Sequence, residues 1–254
     1  MTLLSLQAVT RKFGGLVAVD AVNLDVAQGG VTAVIGPNGA GKTTMFNLIS
    51  GFQTPDSGRI VFAGDDITAR PPEAIAAAGL VRTFQLVQLF QNLSVLENIQ
   101  VGCHLHTEGG FLSALLRTRR TRRAEQEVEA RAHELLRFVG LEAAATMEAS
   151  ALAYGQQRLL EIARSLAARP RLLLLDEPAA GLSADETKRL SSAIRAIAER
   201  GTTVLLIEHD MKLVMNTADT IAVLDFGRKI AEGPPTAIRE NPAVIAAYLG
   251  GGDA

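Results

Sequence analysis

The sequence lacks the features of a secreted or membrane-spanning protein. It has one cysteine, Cys103, so no internal disulfide can form, and Met1 to Gln7 lacks the basic segment of a secretory signal. Its strongly apolar stretches are short, such as Leu172 to Leu175, whereas a bilayer span needs about eighteen or more apolar residues. We therefore expect a protein of the reducing cytosol that does not itself cross a membrane.

Neither sign of charge dominates the chain. Its 25 Lys and Arg stand against 27 Asp and Glu, a formal net charge of -2, which argues against a surface built as a whole to hold nucleic acid or anionic lipid. The apolar fraction of 48% is that of a globular protein rather than a disordered one. With 254 residues, about 1.7 times a typical domain, the chain is expected to form one large domain or a core with a smaller lobe.

Short apolar runs that alternate with helical patterns predict an α/β fold. Three β-like runs precede a glycine-rich loop and a predicted helix from Thr43 to Ser50. Further along, buried strands from Leu172 to Leu175 and from Thr203 to Ile207 are separated by a predicted helix from Ala184 to Arg200. Continuously apolar strands between helices indicate a largely parallel sheet that is covered on both faces.

In the middle of the chain the strand signals give way to helical ones. Ser94 and Glu97 form a capping-box pattern at a helix start, and Gly140 stands where the C-terminal cap of a later helix belongs. This pattern predicts a helical lobe inserted into the α/β core. We predict one domain of 254 residues. Its α/β core covers 1–93 and 152–254, and its inserted helical subdomain covers 94–151.

One glycine-rich segment fits the P-loop pattern, which is glycine, four residues, then Gly-Lys followed by Ser or Thr. Glycines let backbone N–H groups turn around a phosphate, and the helix that follows adds its positive N-terminal end. The lysine adds a cation, and the threonine hydroxyl can bind Mg²⁺. The residues of this predicted phosphate site are Gly36, Pro37, Asn38, Gly39, Ala40, Gly41, Lys42, Thr43 and Thr44.

Two strands end in residues that suit phosphate chemistry. Asp176 and Glu177 close the strand that begins at Leu172, where Asp176 suits a metal and Glu177 can face the γ-phosphate. Two such acids can also be ordinary loop residues, but beside a P-loop the catalytic interpretation is favoured. His209 follows the strand that ends at Ile207, at the edge where open α/β folds bind ligands, although a lone histidine is more often structural.

The order of these segments resembles the ATP-binding subunits of ABC transporters over nearly the whole chain, from about Leu4 to Gly250. The resemblance implies a P-loop NTPase core with a mixed, largely parallel sheet, an N-terminal antiparallel β part and an inserted helical subdomain. Besides the P-loop and the Leu172 to Glu177 segment, it rests on Phe13-Gly14, Arg82-Thr83-Phe84-Gln85, Leu152-Ala153-Tyr154-Gly155-Gln156, Ala180-Gly181-Leu182-Ser183 and His209.

The resemblance also implies a reaction, ATP hydrolysis, and a role for each site residue. Phe13 stacks on the adenine, Glu177 is the general base, and His209 and Lys42 act on the γ-phosphate. Gln85 also senses the membrane partner. The metal is Mg²⁺, and the residues implied to hold it are Thr43, Gln85 and Asp176.

In this family two ATPase subunits meet head to tail, so that a signature segment of one completes the nucleotide site of the other. The residues implied are Ala153, Tyr154, Gly155 and Gln156. The usual signature is Leu-Ser-Gly-Gly-Gln. Ala153 lacks the serine hydroxyl that bonds the γ-phosphate, a loss of about 1 to 2 kcal/mol if nothing replaces it. Ser183 stands where the family usually has an aspartate.

Three segments resemble one subgroup, the ATPase subunits of branched-chain amino acid importers. They are Arg82 to Gln85, Leu152 to Arg158, and Asn241 to Gly250. The resemblance implies a second ATPase subunit, either a different chain or a second copy, together with membrane permease subunits and, indirectly, a periplasmic or extracellular binding protein. It places the chain in the cytoplasm, on the cytoplasmic face of the cell membrane, with no nucleic-acid partner.

Two other functions are weighed against this one. The first is an ATP-switched protein that acts on ribosomes, nucleic acid or a cofactor-assembly complex, which the altered signature and the arginines of Arg117 to Arg123 would suit. We favour a solvated helix face for those arginines. The second is a P-loop kinase, which is disfavoured because the sequence indicates no acceptor-binding lid.

Two short segments have more than one interpretation. Cys103, His104 and His106 lack a second ligand pair at metal-site spacing, so a metal is disfavoured. Leu86 to Phe90 offers hydrophobic anchors, either for the core or for a helix of a permease, and Phe90 is a candidate contact.

Overall fold

The computed structural model describes residues 1–83, 87–103 and 119–249, with only the backbone described for 119–122 and 249. The chain divides into two compact units, which are Met1–Gln85 with Arg171–Ala254, and Leu86–Pro170. The domain boundaries predicted above stay a prediction. Among the described helices, none is both long and apolar enough to span a membrane.

The described strands of the first unit form two sheets. They are β1 (Thr2–Phe13), β2 (Leu16–Ala27), β3 (Val31–Ile35), β4 (Ser57–Phe62), β5 (Asp65–Asp66), β6 (Leu80–Arg82), β7 (Leu172–Asp176), β8 (Thr203–Ile207), β9 (Thr220–Asp225) and β10 (Arg228–Gly233). An antiparallel sheet has the order β2-β1-β4-β5, and a second sheet has the order β10-β9-β3-β8-β7-β6. In the second sheet β10 is antiparallel to β9 and the other pairs are parallel. The predicted fold class is therefore confirmed.

Helices follow most of these strands in the first unit and make up most of the second. The described helices are α1 (Lys42–Ile49), α2 (Pro72–Ala77), α3 (Val95–Gly102), α4 (Arg119–Val139), α5 (Tyr154–Ala167), α6 (Ala184–Glu199), α7 (Met211–Thr217), α8 (Pro235–Arg239) and α9 (Pro242–Leu249). The helices predicted from Thr43 and from Ala184 correspond to α1 and α6.

The central strands are apolar along their whole length because they are buried on both faces. Every residue of β3, β7 and β8 is buried, and each leucine or isoleucine that is fully buried contributes about 1.5–3 kcal/mol. In the parallel register, Val34 of β3 lies opposite Ile207 of β8, which lies opposite Asp176 of β7. The carboxyl ends of the three strands are therefore aligned, and the P-loop, Glu177 and His209 each follow one of them.

In the second unit, the predicted helix signals are confirmed. Ser94 caps α3 through a complete capping box, in which its side chain accepts from the Glu97 N–H and Glu97 accepts from the Ser94 N–H. Gly140 follows α4 with a φ of 72°, a left-handed conformation typical of helix C-terminal caps. Ala132 and Leu135 of α4 are buried, as expected for the apolar face of an amphipathic helix.

Candidate functional site

The P-loop runs from the end of β3 into α1, and close backbone contacts hold it. A Cβ on Gly36 would lie 2.1 Å from the carbonyl oxygen of Leu224, and one on Gly41 would lie 2.2 Å from that of Ala18. Gly41 also has a φ of 97°, in the left-handed region that favours glycine. Because these contacts exclude any side chain, the two glycines fix the path of the loop.

Lys42 opens α1, and its side chain is buried against the loop. Its Nζ donates to the carbonyl oxygens of Gly36 at 2.7 Å and of Pro37 at 2.9 Å. Burial lowers the pKa of the Lys42 ammonium group, and the negative charges of Glu177 and Asp176 oppose that shift. The ammonium group therefore lies in the field of both predicted carboxylates, as a shared phosphate site requires.

The first turn of α1 presents backbone N–H groups that no side chain caps. Its N-cap, Gly41, offers no side-chain acceptor, and the turn contains no acidic residue. Such a helix start attracts anions through its N–H groups and the positive end of the helix dipole. Asn38, Gly39 and Thr43 are exposed, and Thr44 is half-buried. The loop and the helix start together have the geometry of a phosphate-binding site.

Asp176, the last residue of β7, is buried in an ion pair with Arg82 of the adjacent strand β6. Arg82 Nη2 donates to Asp176 Oδ2 at 2.8 Å, and the side chains are 7% and 5% exposed. Arg82 Nη1 also donates to Asn47 Oδ1 at 2.8 Å and Ser50 Oγ at 2.9 Å, both on or next to α1. Arg82 therefore joins the Asp176 carboxylate to the helix that begins at the P-loop. Sequence reasoning quoted Arg82 within a motif but missed this pair.

Glu177 and His209 face each other across the ends of β7 and β8. His209 Nδ1 lies 3.8 Å from Glu177 Oε2, and the side chains are 62% and 22% exposed. The Glu177 N–H donates to the Ile207 carbonyl oxygen at 3.0 Å, and the φ of Glu177 is 45°. A non-glycine residue in this region is strained and persists only where its surroundings hold it. The predicted base and the predicted phosphate contact are therefore brought together.

Phe13 lies at the end of β1, where a hairpin connects to Leu16. Its side chain is 42% exposed, and the Arg11 guanidinium lies 5.1 Å from the ring centroid. Arg11 is itself paired with Asp56 at 3.1 Å. The structure thus presents a partly exposed aromatic ring with a cation beside it, a feature that sequence reasoning did not include.

In the second unit, the predicted signature segment forms the start of α5. Ala153 is the N-cap, and its N–H donates to Gln156 Oε1 at 3.1 Å, but alanine has no side-chain acceptor for the helix N–H groups. Tyr154 is exposed, and its hydroxyl accepts from Arg158 Nη2 at 3.2 Å. Gly155 is buried. The segment is therefore another helix start with N–H groups available for an anion.

Phe90 is an exposed aromatic residue on a fixed backbone. It is 49% exposed, and the Arg164 guanidinium lies 5.6 Å from its ring centroid. The Phe90 N–H donates to Asn98 Oδ1, and Asn98 Nδ2 donates to the Phe90 carbonyl oxygen, both at 3.0 Å. Asn98 is fully buried. The second unit therefore presents a partly exposed aromatic side chain on a backbone that Asn98 holds, which suits a docking contact.

Ser183, which replaces an aspartate usual in this position, has a structural role in the first unit. It is the N-cap of α6, where its hydroxyl accepts from the Glu186 N–H at 3.4 Å and its own N–H donates to Glu186 Oε2 at 2.9 Å. Serine and aspartate are both strong N-cap residues. The replacement therefore preserves the helix start.

The residues predicted to hold Mg²⁺ fit a metal that is shared with a nucleotide. Among the described residues no group of three or more His, Cys, Asp or Glu could hold a metal alone, but Mg²⁺ ordinarily binds one or two carboxylates together with substrate phosphates. Thr43 and Asp176 offer oxygens of this type, and the Arg82 bond involves one oxygen of the Asp176 carboxylate. Gln85 lies outside the described residues, as do His104 and His106.

Comparison with protein families identifies two matching models. One, described as ABC transporter, matches residues 19–180. The other, described as branched-chain amino acid ATP-binding cassette transporter, matches residues 228–254. The first match includes the P-loop, the signature segment and Glu177, and the second covers β10 and the helices that follow it.

Curated relatives align over almost their whole length. The chain is 49% identical over 249 residues to the high-affinity branched-chain amino acid transport ATP-binding protein BraF of Pseudomonas aeruginosa, covering 98% of each chain. It is 48% identical, with the same coverage, to LivG of Escherichia coli, which bears the same description.

Solved structures show the same fold. A nucleotide-free ATP-binding cassette from an ABC transporter has a TM-score of 0.84 at 33% identity, covering 98% of this chain and 99% of that one. An ATP-binding cassette of an ABC transporter in its ADP conformation has a TM-score of 0.85 with the same identity and coverage. A dimeric cassette bound to ADP and Pi after hydrolysis has a TM-score of 0.76 at 25% identity, covering 92% and 99%.

Proposed function

Because the chain belongs to the ATP-binding proteins of ABC transporters and hydrolyses ATP to drive transport, we propose that it energises an importer of branched-chain amino acids. The observation that carries this proposal is the full-length similarity to BraF and LivG, both described as high-affinity branched-chain amino acid transport proteins. The second family model, over residues 228–254, supports the same subgroup independently of the nucleotide-binding motifs.

In the proposed reaction, the P-loop and Lys42 bind the phosphates of ATP, and Phe13 stacks on the adenine. Glu177 accepts a proton from the water that attacks the γ-phosphate, and His209, 3.8 Å from Glu177, steadies the same phosphate. Thr43, Asp176 and Gln85 would hold Mg²⁺, which neutralises charge on the phosphates when bound. Electrostatic support comes from Lys42, since burial lowers the pKa of its ammonium group and the negative charges of Glu177 and Asp176 oppose that shift.

The remaining proposals concern partners and location. A second ATPase subunit would present its signature segment to this site, and the segment Ala153 to Gln156 would serve the partner's nucleotide. Since Ala153 lacks the usual hydroxyl, a different chain with a complete signature is favoured over a second copy. Permease subunits would contact Phe90, and a binding protein would deliver the cargo. The chain would then lie in the cytoplasm at the membrane face.

Isolation of the native complex tests these partners. The tagged full-length chain, purified from membranes in mild detergent, is expected to co-purify with two permease chains and a second ATPase subunit. Nuclease treatment should not change the composition of this complex. Phe90→Ser should reduce recovery of the permease chains because it removes the exposed aromatic contact. Phe226→Ser is the matched control, since Phe226 is 85% exposed in the other unit. A nuclease-sensitive complex without permease chains would instead support the ATP-switch alternative.

A further inference from the structure

Glu208, which follows β8 and precedes His209, is a fully buried carboxylate. Three backbone N–H groups donate to it: Ala179 to Oε1 at 2.8 Å, and His209 and Asp210 to Oε2 at 3.0 Å and 3.2 Å. Burial raises the pKa of Glu208, and these hydrogen bonds oppose that shift. A buried carboxylate is costly unless such bonds satisfy it.

The bonds to Glu208 join two loops that carry different site residues. Ala179 lies two residues after Glu177, in the turn where the Ala180 N–H donates to the Glu177 carbonyl oxygen at 3.1 Å. His209 and Asp210 belong to the loop after β8. Each oxygen of the carboxylate therefore serves one loop, Oε1 the turn of Glu177 and Oε2 the loop of His209.

The strained conformation of Glu177 depends on contacts of this kind. Its φ is 45°, and the Glu177 N–H is tied to the carbonyl oxygen of Ile207, the residue before Glu208. On the far side of the turn, the Ala179 N–H is tied to Glu208 itself. The turn that carries Glu177 is thus held at two points by Ile207 and Glu208, adjacent residues at the end of β8.

We propose that Glu208 is a positioning residue, which fixes the loops of Glu177 and His209 relative to each other through its two carboxylate oxygens. The inference rests on the roles proposed above for Glu177 and His209. It predicts that Glu208 acts on the chemical step and has little influence on ATP binding, since its bonds reach neither the P-loop nor Phe13.

The Glu208→Gln variant tests this role, because an amide has the same shape but one oxygen. The NH₂ group of the glutamine cannot accept the backbone N–H that it would face at one of the two loops. That loop therefore loses its hydrogen bond to residue 208. We expect kcat to fall about tenfold or more, since a small misplacement of catalytic groups can cost up to about a hundredfold. KM for ATP should stay within about threefold, as expected when an interaction acts on the chemical step.

Asp219→Asn is the matched control. Asp219 is also a carboxylate that accepts a backbone N–H, from Val31 at 2.8 Å, and pairs with Arg195 at 2.7 Å. It lies at the start of β3 and β9, at the opposite end of the strands from Glu177. We expect this variant to lower Tm with kcat unchanged. Equal kcat losses in the two variants, measured well below both Tm values, would overturn the proposed role.

A combined variant separates this inference from the proposed function. Because Glu208 acts through both Glu177 and His209, adding Glu208→Gln to a variant that already carries Glu177→Gln and His209→Ala should lower kcat by less than about threefold, whereas an independent effect would multiply and contradict the proposal. If Glu177→Gln and His209→Ala both keep normal turnover, the proposed site itself is wrong.

If the Glu208→Gln variant does not fold, Glu208→Asp replaces it in the test. The aspartate side chain is shorter and cannot reach both loops, so we expect kcat to fall. An unchanged kcat would overturn the role proposed for Glu208.

Discussion

Turnover of the Glu177→Gln variant is expected to fall about 10²- to 10⁴-fold, the usual contribution of a general base, while ATP binding is retained. Glutamine keeps the shape of glutamate and its contact distance to His209, but the amide cannot accept the proton of the attacking water. The P-loop, Lys42 and Phe13 are unchanged by this substitution, so the nucleotide should bind as before. The measurement is phosphate release at saturating ATP, with nucleotide binding determined on the same preparation.

Glu186→Gln provides the control for this experiment. Glu186 lies nine residues along the chain, in the first turn of α6, where its side chain accepts from the Ser183 N–H. Glutamine also completes a capping box, so turnover and stability should both be unchanged. If Glu177→Gln hydrolyses ATP as fast as Glu186→Gln does, Glu177 is not the base, and another group must accept the proton.

Removal of Glu161 is expected to cost about 3–5 kcal/mol of the free energy of unfolding, because the buried charge of Arg158 then lacks the compensating carboxylate. Arg158 Nη1 donates to Glu161 Oε2 at 2.8 Å, with both side chains 1% exposed. Glu161 Oε1 also accepts the Gln88 N–H at 3.2 Å. Burial raises the pKa of Glu161, and the positive charge of Arg158 opposes that shift.

Denaturant unfolding of Glu161→Leu measures this effect. Glu134→Leu is the matched control, because its ion pair with Arg131 has the same i,i+3 spacing but side chains that are 26% and 52% exposed, and such pairs contribute about 0–1 kcal/mol. Since well-packed apolar residues often replace a buried pair without loss, the double variant Arg158→Leu with Glu161→Leu should be more stable than Glu161→Leu. Equal losses for Glu161→Leu and Glu134→Leu would contradict this account.

The sequence predicted the site wherever a residue type and its place on a strand or loop define the chemistry. The P-loop, Glu177 and His209 could be found in this way, because each follows a continuously apolar strand and the carboxyl ends of parallel strands meet at one edge. The parallel arrangement of the central strands was also accessible from the alternation of apolar strands and helices. The signature segment was located by resemblance alone, since nothing in its composition indicates a nucleotide of another chain.

Contacts between distant segments could not be predicted. The pairing of Arg82 with Asp176 depends on β6, a strand of three residues that gives no periodic signal and that the sequence interpretation missed. The hydrogen bonds of Glu208 depend on the turn after Glu177. The left-handed backbone conformation of Glu177 is set by tertiary contacts and not by the backbone preference of glutamate. Sequence patterns indicated Asp176, whose partner Arg82 follows from strand adjacency, but they did not indicate Glu208.

The central claim is that ATP turnover at Glu177 drives import of branched-chain amino acids, and uptake into vesicles tests it most directly. The purified complex, with its binding protein outside and ATP inside, is reconstituted so that this chain faces the ATP, and labelled leucine is added externally. We expect leucine uptake that requires ATP, that unlabelled isoleucine or valine suppresses, and that Glu177→Gln abolishes together with phosphate release. Phosphate release without leucine uptake, or undiminished uptake by Glu177→Gln, would contradict the claim.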